Sequence, residues 1–120
     1  MKPHQKLEAW KLSFDFVKIM YSHTASFPVD EKFGLTSQIR RASVSIPANI
    51  AEGSARRSDK ELLQFLYISL GSASELDTLI LLAKELGFIN PANCDKLISD
   101  LDSICKLIIG FINMVKRRIG

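Results

Sequence analysis

Between Ser58 and Gly87 the sequence carries one uninterrupted helical pattern, and that run constrains the fold more than any other feature. Ser58, followed three residues later by Glu61, forms a capping box, in which a hydroxyl and a carboxylate satisfy backbone N–H groups left unpaired at a helix start. Leu62, Leu66, Ser69, Ala73, Leu76, Ile80 and Ala83 then line one face. Gly87, directly after Leu86, supplies the left-handed stop. The spacing predicts a helix of about 28 residues, or ~42 Å.

Three further helices follow from the same periodicity. Leu7, Trp10, Phe14, Val17 and Tyr21 alternate at spacings of three and four, which predicts a first helix over Gln5 to Ser22 with that row facing the core. Leu12, Phe16 and Ile19 form a second apolar row beside it. A second helix starts between Asp30 and Thr36, places Leu35, Ile39, Ala42, Ile46 and Ile50 in the core, and ends at Gly53. Pro47 removes one of its hydrogen bonds, so a kink is expected there rather than two separate helices. Asn90 and Pro91 open the fourth helix as cap and first residue, ahead of a stripe of Ile98, Leu101, Cys105, Ile108, Ile112, Val115 and Ile119. No period-two alternation, long linker or internal repeat is present.

Short connections favour antiparallel neighbours, so the expected architecture is all-α: an antiparallel, up-down-up-down four-helix bundle forming a single domain over residues 1–120. With 47% apolar and 24% charged residues, a chain this long folds without staples. Cys94 and Cys105 lie about 16 Å apart along one helix, too far for a disulfide, and are expected to be structural thiols. Glu8, Lys11 and Asp15 leave no uncharged stretch for a signal peptide, and the apolar segment from Cys105 to Val115 is too short for a bilayer. A cytoplasmic protein without membrane contact is expected.

The alternating topology has a consequence for charge. It gathers Lys2, His4 and Lys6 with Arg56, Arg57 and Lys60, and with Lys116, Arg117 and Arg118, at one end, against only Glu8, Glu52, Asp59 and Glu61. The other end is nearly balanced. Net charge of +3 and a pI near 9.0 are too weak to name a partner, but clustered guanidinium and ammonium groups suit a phosphate backbone. Lys6, Arg56, Arg57, Lys60, Lys116, Arg117 and Arg118 are the candidate nucleic-acid contacts. The bland alternative is that these cations complement a helix dipole and solvate a loop. No aromatic residue interleaves them, so backbone or shape recognition is indicated rather than base stacking.

Opposite its core stripe, the second helix presents Ser37, Arg40, Arg41, Val44, Pro47, Ala48 and Ala51, a face that is small and apolar beyond its first turns. With the cluster Gly71, Ser72, Ala73 and Ser74, this predicts close contacts between subunits and hence an oligomer. Gln38, Ser45, Asn49 and Glu52 flank the face and need partners if covered. Arg40 or Arg41 is expected to pair with Glu75 or Asp77, and Asn49 to bond backbone across a helix contact.

The run QIRRASVSIPANIAEG from Gln38 to Gly53, with Gly71-Ser72-Ala73-Ser74-Glu75-Leu76 and Leu86-Gly87-Phe88-Ile89, resembles the bacterial four-helix-bundle proteins encoded in 23S rRNA intervening sequences. The likeness extends from about Leu7 to Ile89. It implies a homopentameric, barrel-like assembly and kinship with the accessory variability proteins of diversity-generating retroelements, basic pentamers that bind nucleic acid and a reverse transcriptase. By position it implies structural and interface roles for Gln38, Arg40, Arg41, Ser45, Pro47, Asn49, Glu52, Gly53, Gly71, Ser72 and Glu75. It names no catalytic group, and it does not extend to the Lys116, Arg117 and Arg118 cluster.

Chemistry is sparse elsewhere. His4 and His23 lie outside the spacing of bundle di-iron sites, and no phosphate loop, dinucleotide fingerprint or nucleophile elbow occurs. Asp100 and Asp102 fall on different helix faces, and the helical serines lack a partner histidine. No cofactor, metal or enzymatic activity is expected. The function this predicts is a homo-oligomeric nucleic-acid-binding accessory protein, with an oligomeric protein-binding scaffold as the alternative.

Overall fold

A computed structural model of the chain describes residues 2–120, which form four α-helices and, among those residues, no strand. They are α1 (Glu8–Thr24), α2 (Leu35–Ser54), α3 (Asp59–Glu85) and α4 (Pro91–Ile119), with short 3-10 turns at Pro3–Lys6 and Val29–Glu31. The molecule measures 47 × 23 × 23 Å.

The capping signals of α3 and α4 act as the sequence predicts, whereas α2 starts at Leu35 behind Gly34, with the Leu35 N–H taken by Glu31. Ser58 Oγ accepts the Glu61 N–H at 3.2 Å, and Asn90 Oδ1 accepts the Asn93 N–H at 2.7 Å with Pro91 at the first helical position. At the end of α3, Gly87 has φ +82° while the N–H of Phe88 bonds the Ala83 carbonyl and that of Gly87 bonds Lys84, closing the last carbonyls of the helix. Ser58→Ala is expected to cost about 1 kcal/mol, read as a lower urea midpoint with unchanged slope.

Contacts between helices are specific. Arg40 on α2 reaches Thr24 and Tyr21 on α1, while Pro47 and Ala51 lie near Trp10 and Phe14. On the other side of α2, the Ser69 hydroxyl donates to the Ile46 carbonyl at 2.9 Å, and the Ser45 and Ser72 hydroxyls meet at 2.7 Å. Arg118, at the end of α4, pairs with Asp59 at the start of α3. In the α1–α2 and α2–α3 pairs, the residue numbers in contact rise on one helix as they fall on the other.

The face of α3 is as predicted: Leu62, Leu66, Ser69, Ala73, Leu76, Ile80 and Ala83 are all buried, joined by Leu79. In α4 the buried row is Cys94, Leu97, Leu101, Ile104, Ile108, Ile112 and Val115, so Ile98 and Cys105 turn to its edge and Ile119 is exposed. Both cysteines are free, and burial pushes both thiols up. An 18-residue window of α3 has mean hydropathy 1.4, apolar and long enough by composition to cross a bilayer, although its buried face serves the bundle.

Two expectations are overturned. In α1 the buried row is Ala9, Ser13, Phe16, Met20 and Thr24, while Phe14 and Tyr21 are 47% and 43% exposed. Ser13 and Thr24 fit because their hydroxyls bond the carbonyls of Trp10 and Met20 one turn earlier, and the small Ala9 and Ser13 let α1 approach closely. The large aromatics stand at the edge of that contact. Gly53, expected as a terminator, is a buried residue inside α2, which runs through Pro47 to Ser54. A Cβ at Gly53 would sit 2.8 Å from Phe65 Cβ and 3.2 Å from the Leu62 carbonyl, so its glycine identity serves the approach of α3 and not a turn.

Candidate nucleic-acid interface

The basic end is assembled from three stretches of chain. The turn at Pro3–Lys6 packs on the end of α2, where Lys2 and His4 share a shallow groove with Glu52 and Ala55. The α2–α3 connection carries Arg56 and Arg57, and Lys60 follows in the first turn of α3. The last turn of α4 brings Lys116, Arg117 and Arg118 alongside, fixed by Arg118, whose Nε and Nη2 donate to Asp59 at 3.2 and 3.0 Å. All seven predicted contact residues are exposed.

The four acids of this end are each engaged. Glu52 accepts from Arg56, Asp59 from Arg118, Glu8 pairs with Lys11 at 3.5 Å, and Glu61 accepts from the Ser58 hydroxyl at 3.3 Å. Arg56 and Arg118 are thereby held in place, and Arg56 also lies 4.8 Å above the Phe65 ring. Lys116 stands 5.5 Å over the Tyr67 ring. Among the described residues, Lys2, Lys6, Arg57, Lys60, Lys116 and Arg117 have no carboxylate within 4.0 Å. Eight lysines and arginines against four carboxylates leave an excess of four, whereas the remaining eight against nine leave a deficit of one. The whole positive charge of the chain therefore sits at this end.

The face expected to join subunits is an apolar groove of about 380 Å³ between α1 and α2, lined by Trp10, Phe14 and Val17 opposite Val44, Pro47, Ala48 and Ala51. Trp10 and Phe14 stack at 4.8 Å, and His4 meets Trp10 edge-on at 5.2 Å. The residues the sequence placed in the core of α1 thus supply one wall of this groove. Only their failure to be buried reveals this role.

The polar network differs from expectation. Neither Arg40 nor Arg41 pairs with Glu75 or Asp77: the Arg40 Nε donates to Thr24 Oγ1 at 2.9 Å and its guanidinium lies 4.4 Å over the Tyr21 ring, while Arg41 and Glu75 are exposed. The cause is rotational, since Arg40 emerges on the side of α2 that faces α1 and not α3. Asn49 Nδ2 bonds the Ser45 carbonyl and hydroxyl within its own helix at 2.8 and 2.9 Å, and the bond to backbone across the helix contact comes from Ser69. Ser72 joins Ser45, Gln38 and Glu52 are exposed, and Gly71 has open space around its Cα.

A family model described as 23S rRNA-intervening sequence protein matches residues 5–110. The fold is similar to the crystal structure of a protein of unknown function from the S23 ribosomal protein family of Bacteroides thetaiotaomicron. That likeness has a TM-score of 0.78 and 25% identity, over 87% of this chain and 97% of the other. No curated protein matches the chain.

Proposed function

We propose that this chain, which belongs to the 23S rRNA-intervening sequence protein family, is a homo-oligomeric accessory protein that holds a nucleic-acid backbone, of RNA or DNA, against its basic end. The observation that carries this is the charge division: four excess cations at one end and a slight negative excess elsewhere. A phosphate backbone is attracted by such an end through release of its counterions, without any base being read. In this reading the protomer is an up-down-up-down bundle, and the groove of Trp10, Phe14 and Val44 is covered by another copy. Five copies, the number implied by resemblance, would set five basic ends side by side and strengthen a polyanion contact by multivalency. A retroelement reverse transcriptase is a further partner this kinship suggests. The protein works in the cytoplasm, with no cofactor and no reaction of its own.

Binding of labelled duplex RNA over a salt series tests the proposal. Affinity should fall steeply with salt, and Arg57→Glu or Arg117→Glu should each weaken it about tenfold and reduce the logarithmic salt slope by about 0.7–0.9. Both side chains are exposed and, among the described residues, without a carboxylate partner within 4.0 Å, so folding is not at stake. The apolar groove favours a second reading, a scaffold that binds only proteins. Absent or salt-insensitive RNA binding would select it.

A further inference from the structure

The opposite end of α1 carries a second cationic feature, which charge counting overlooks because acids lie nearby in sequence. A groove of about 510 Å³ beside the α1–α2 connection is lined by Lys32, Arg40 and Arg41, by the rings of Tyr21 and Phe33, and by the Ser37 hydroxyl, with no carboxylate among its lining residues. Glu31, the acid beside Lys32, is occupied at the start of α2, where its Oε1 accepts the Leu35 N–H at 3.0 Å. Phe33 is 89% exposed, with the Lys32 ammonium 5.5 Å from its ring centroid. Arg40 is fixed over Tyr21 and bonded to Thr24, while Arg41 is exposed and has no acid partner among the described residues. At the basic end the rings beside cations are Phe65, under Arg56, and Tyr67, under Lys116, and Tyr67 is 45% exposed, about half as open as Phe33.

We propose that this groove binds an unpaired nucleotide of a single strand, its base stacked on Phe33 and its phosphate held by Arg41 and Lys32. The open face of the Phe33 ring is available for stacking, and cations beside such a ring match the two parts of a nucleotide, a charged phosphate and a flat base. A paired base cannot reach Phe33, so the site selects single strands over duplexes. The inference rests on the nucleic-acid reading given above but on different residues, lying about 25 Å from the basic end along α1. The chain would then hold a duplex backbone at one end and an adjoining unpaired segment at the other.

The test uses the full chain with two labelled probes, a short oligouridylate and a duplex RNA, followed by fluorescence anisotropy. Phe33→Ala is expected to weaken oligouridylate about tenfold and leave duplex binding unchanged, with Phe33→Trp restoring the loss. Arg41→Glu should weaken oligouridylate similarly, and subunit number by light scattering should not change in the two Phe33 variants. Equal oligouridylate affinity for wild type and Phe33→Ala would overturn the site, as would equally effective competition by polyglutamate, which shares the charge but not the bases. The two proposals fail separately. Duplex binding that responds to Arg57→Glu while Phe33→Ala does nothing removes only the groove, whereas duplex binding that is absent or insensitive to salt removes the reading of the basic end.

Discussion

Valine at Gly53 is expected to cost about 2–3 kcal/mol of stability, whereas alanine at Gly71 should add about 1 kcal/mol. Both glycines lie inside helices, where intrinsic propensity favours every residue but proline over glycine, by up to about 1 kcal/mol for alanine. Packing reverses the sign at Gly53. An added Cβ there meets Phe65 Cβ at 2.8 Å and the Leu62 carbonyl at 3.2 Å, neither of which is the far end of a flexible side chain, so α2 and α3 must move apart. Overpacking of this kind costs about 1–3 kcal/mol, and the extra methyl groups of valine place it at the upper end. At Gly71 nothing lies within 4 Å, and only the propensity gain remains. Thermal unfolding at matched protein concentration reads both, at roughly 4 °C per kcal/mol for a domain of this size. An unchanged melting temperature for Gly53→Val would remove the close-approach account, and a large loss for Gly71→Ala would mean that α3 is covered there by another chain.

The Phe14→Glu, Val44→Glu double variant should be a monomer at concentrations where the wild type is an oligomer. Both residues belong to the α1–α2 groove and are 47% and 42% exposed within one chain, so charge there need not disturb the protomer. Between subunits the same charges would be desolvated without partners, a cost of several kcal/mol per copy that exceeds what an apolar contact of this kind returns. Light scattering gives the subunit number, and circular dichroism confirms that the helices persist. A variant that keeps the wild-type number, or a wild type that is itself monomeric at micromolar concentration, would place self-association elsewhere or nowhere.

How much was legible in advance differs from helix to helix. For α3 the sequence was sufficient, because the capping box, the apolar row and Gly87 all act over a few residues and agree with one another. For α1 it misled, because Trp10, Phe14 and Tyr21 are bulky rings at core spacing, yet spacing alone does not say which side of a helix meets its neighbour. Ser13 and Thr24 could take core positions because each hydroxyl is satisfied by a carbonyl of its own helix, a bond that a polar letter does not announce. The basic end was found from connectivity, but its pairing was not. That Arg56 and Arg118 are held by Glu52 and Asp59, leaving Arg57 and Arg117 without such partners, depends on side-chain directions across separate helices.

What the chain determined by itself is therefore local: four helices, the caps of α3 and α4, the stop at Gly87 and the face that α3 buries, all set by interactions spanning one turn. Tertiary structure decided the rotation of α1 about its axis, the role of Gly53, the partner of Arg40 and the exposure of Phe33. These depend on contacts between residues far apart in sequence, where the size and shape of both partners choose among helix orientations that periodicity leaves equivalent.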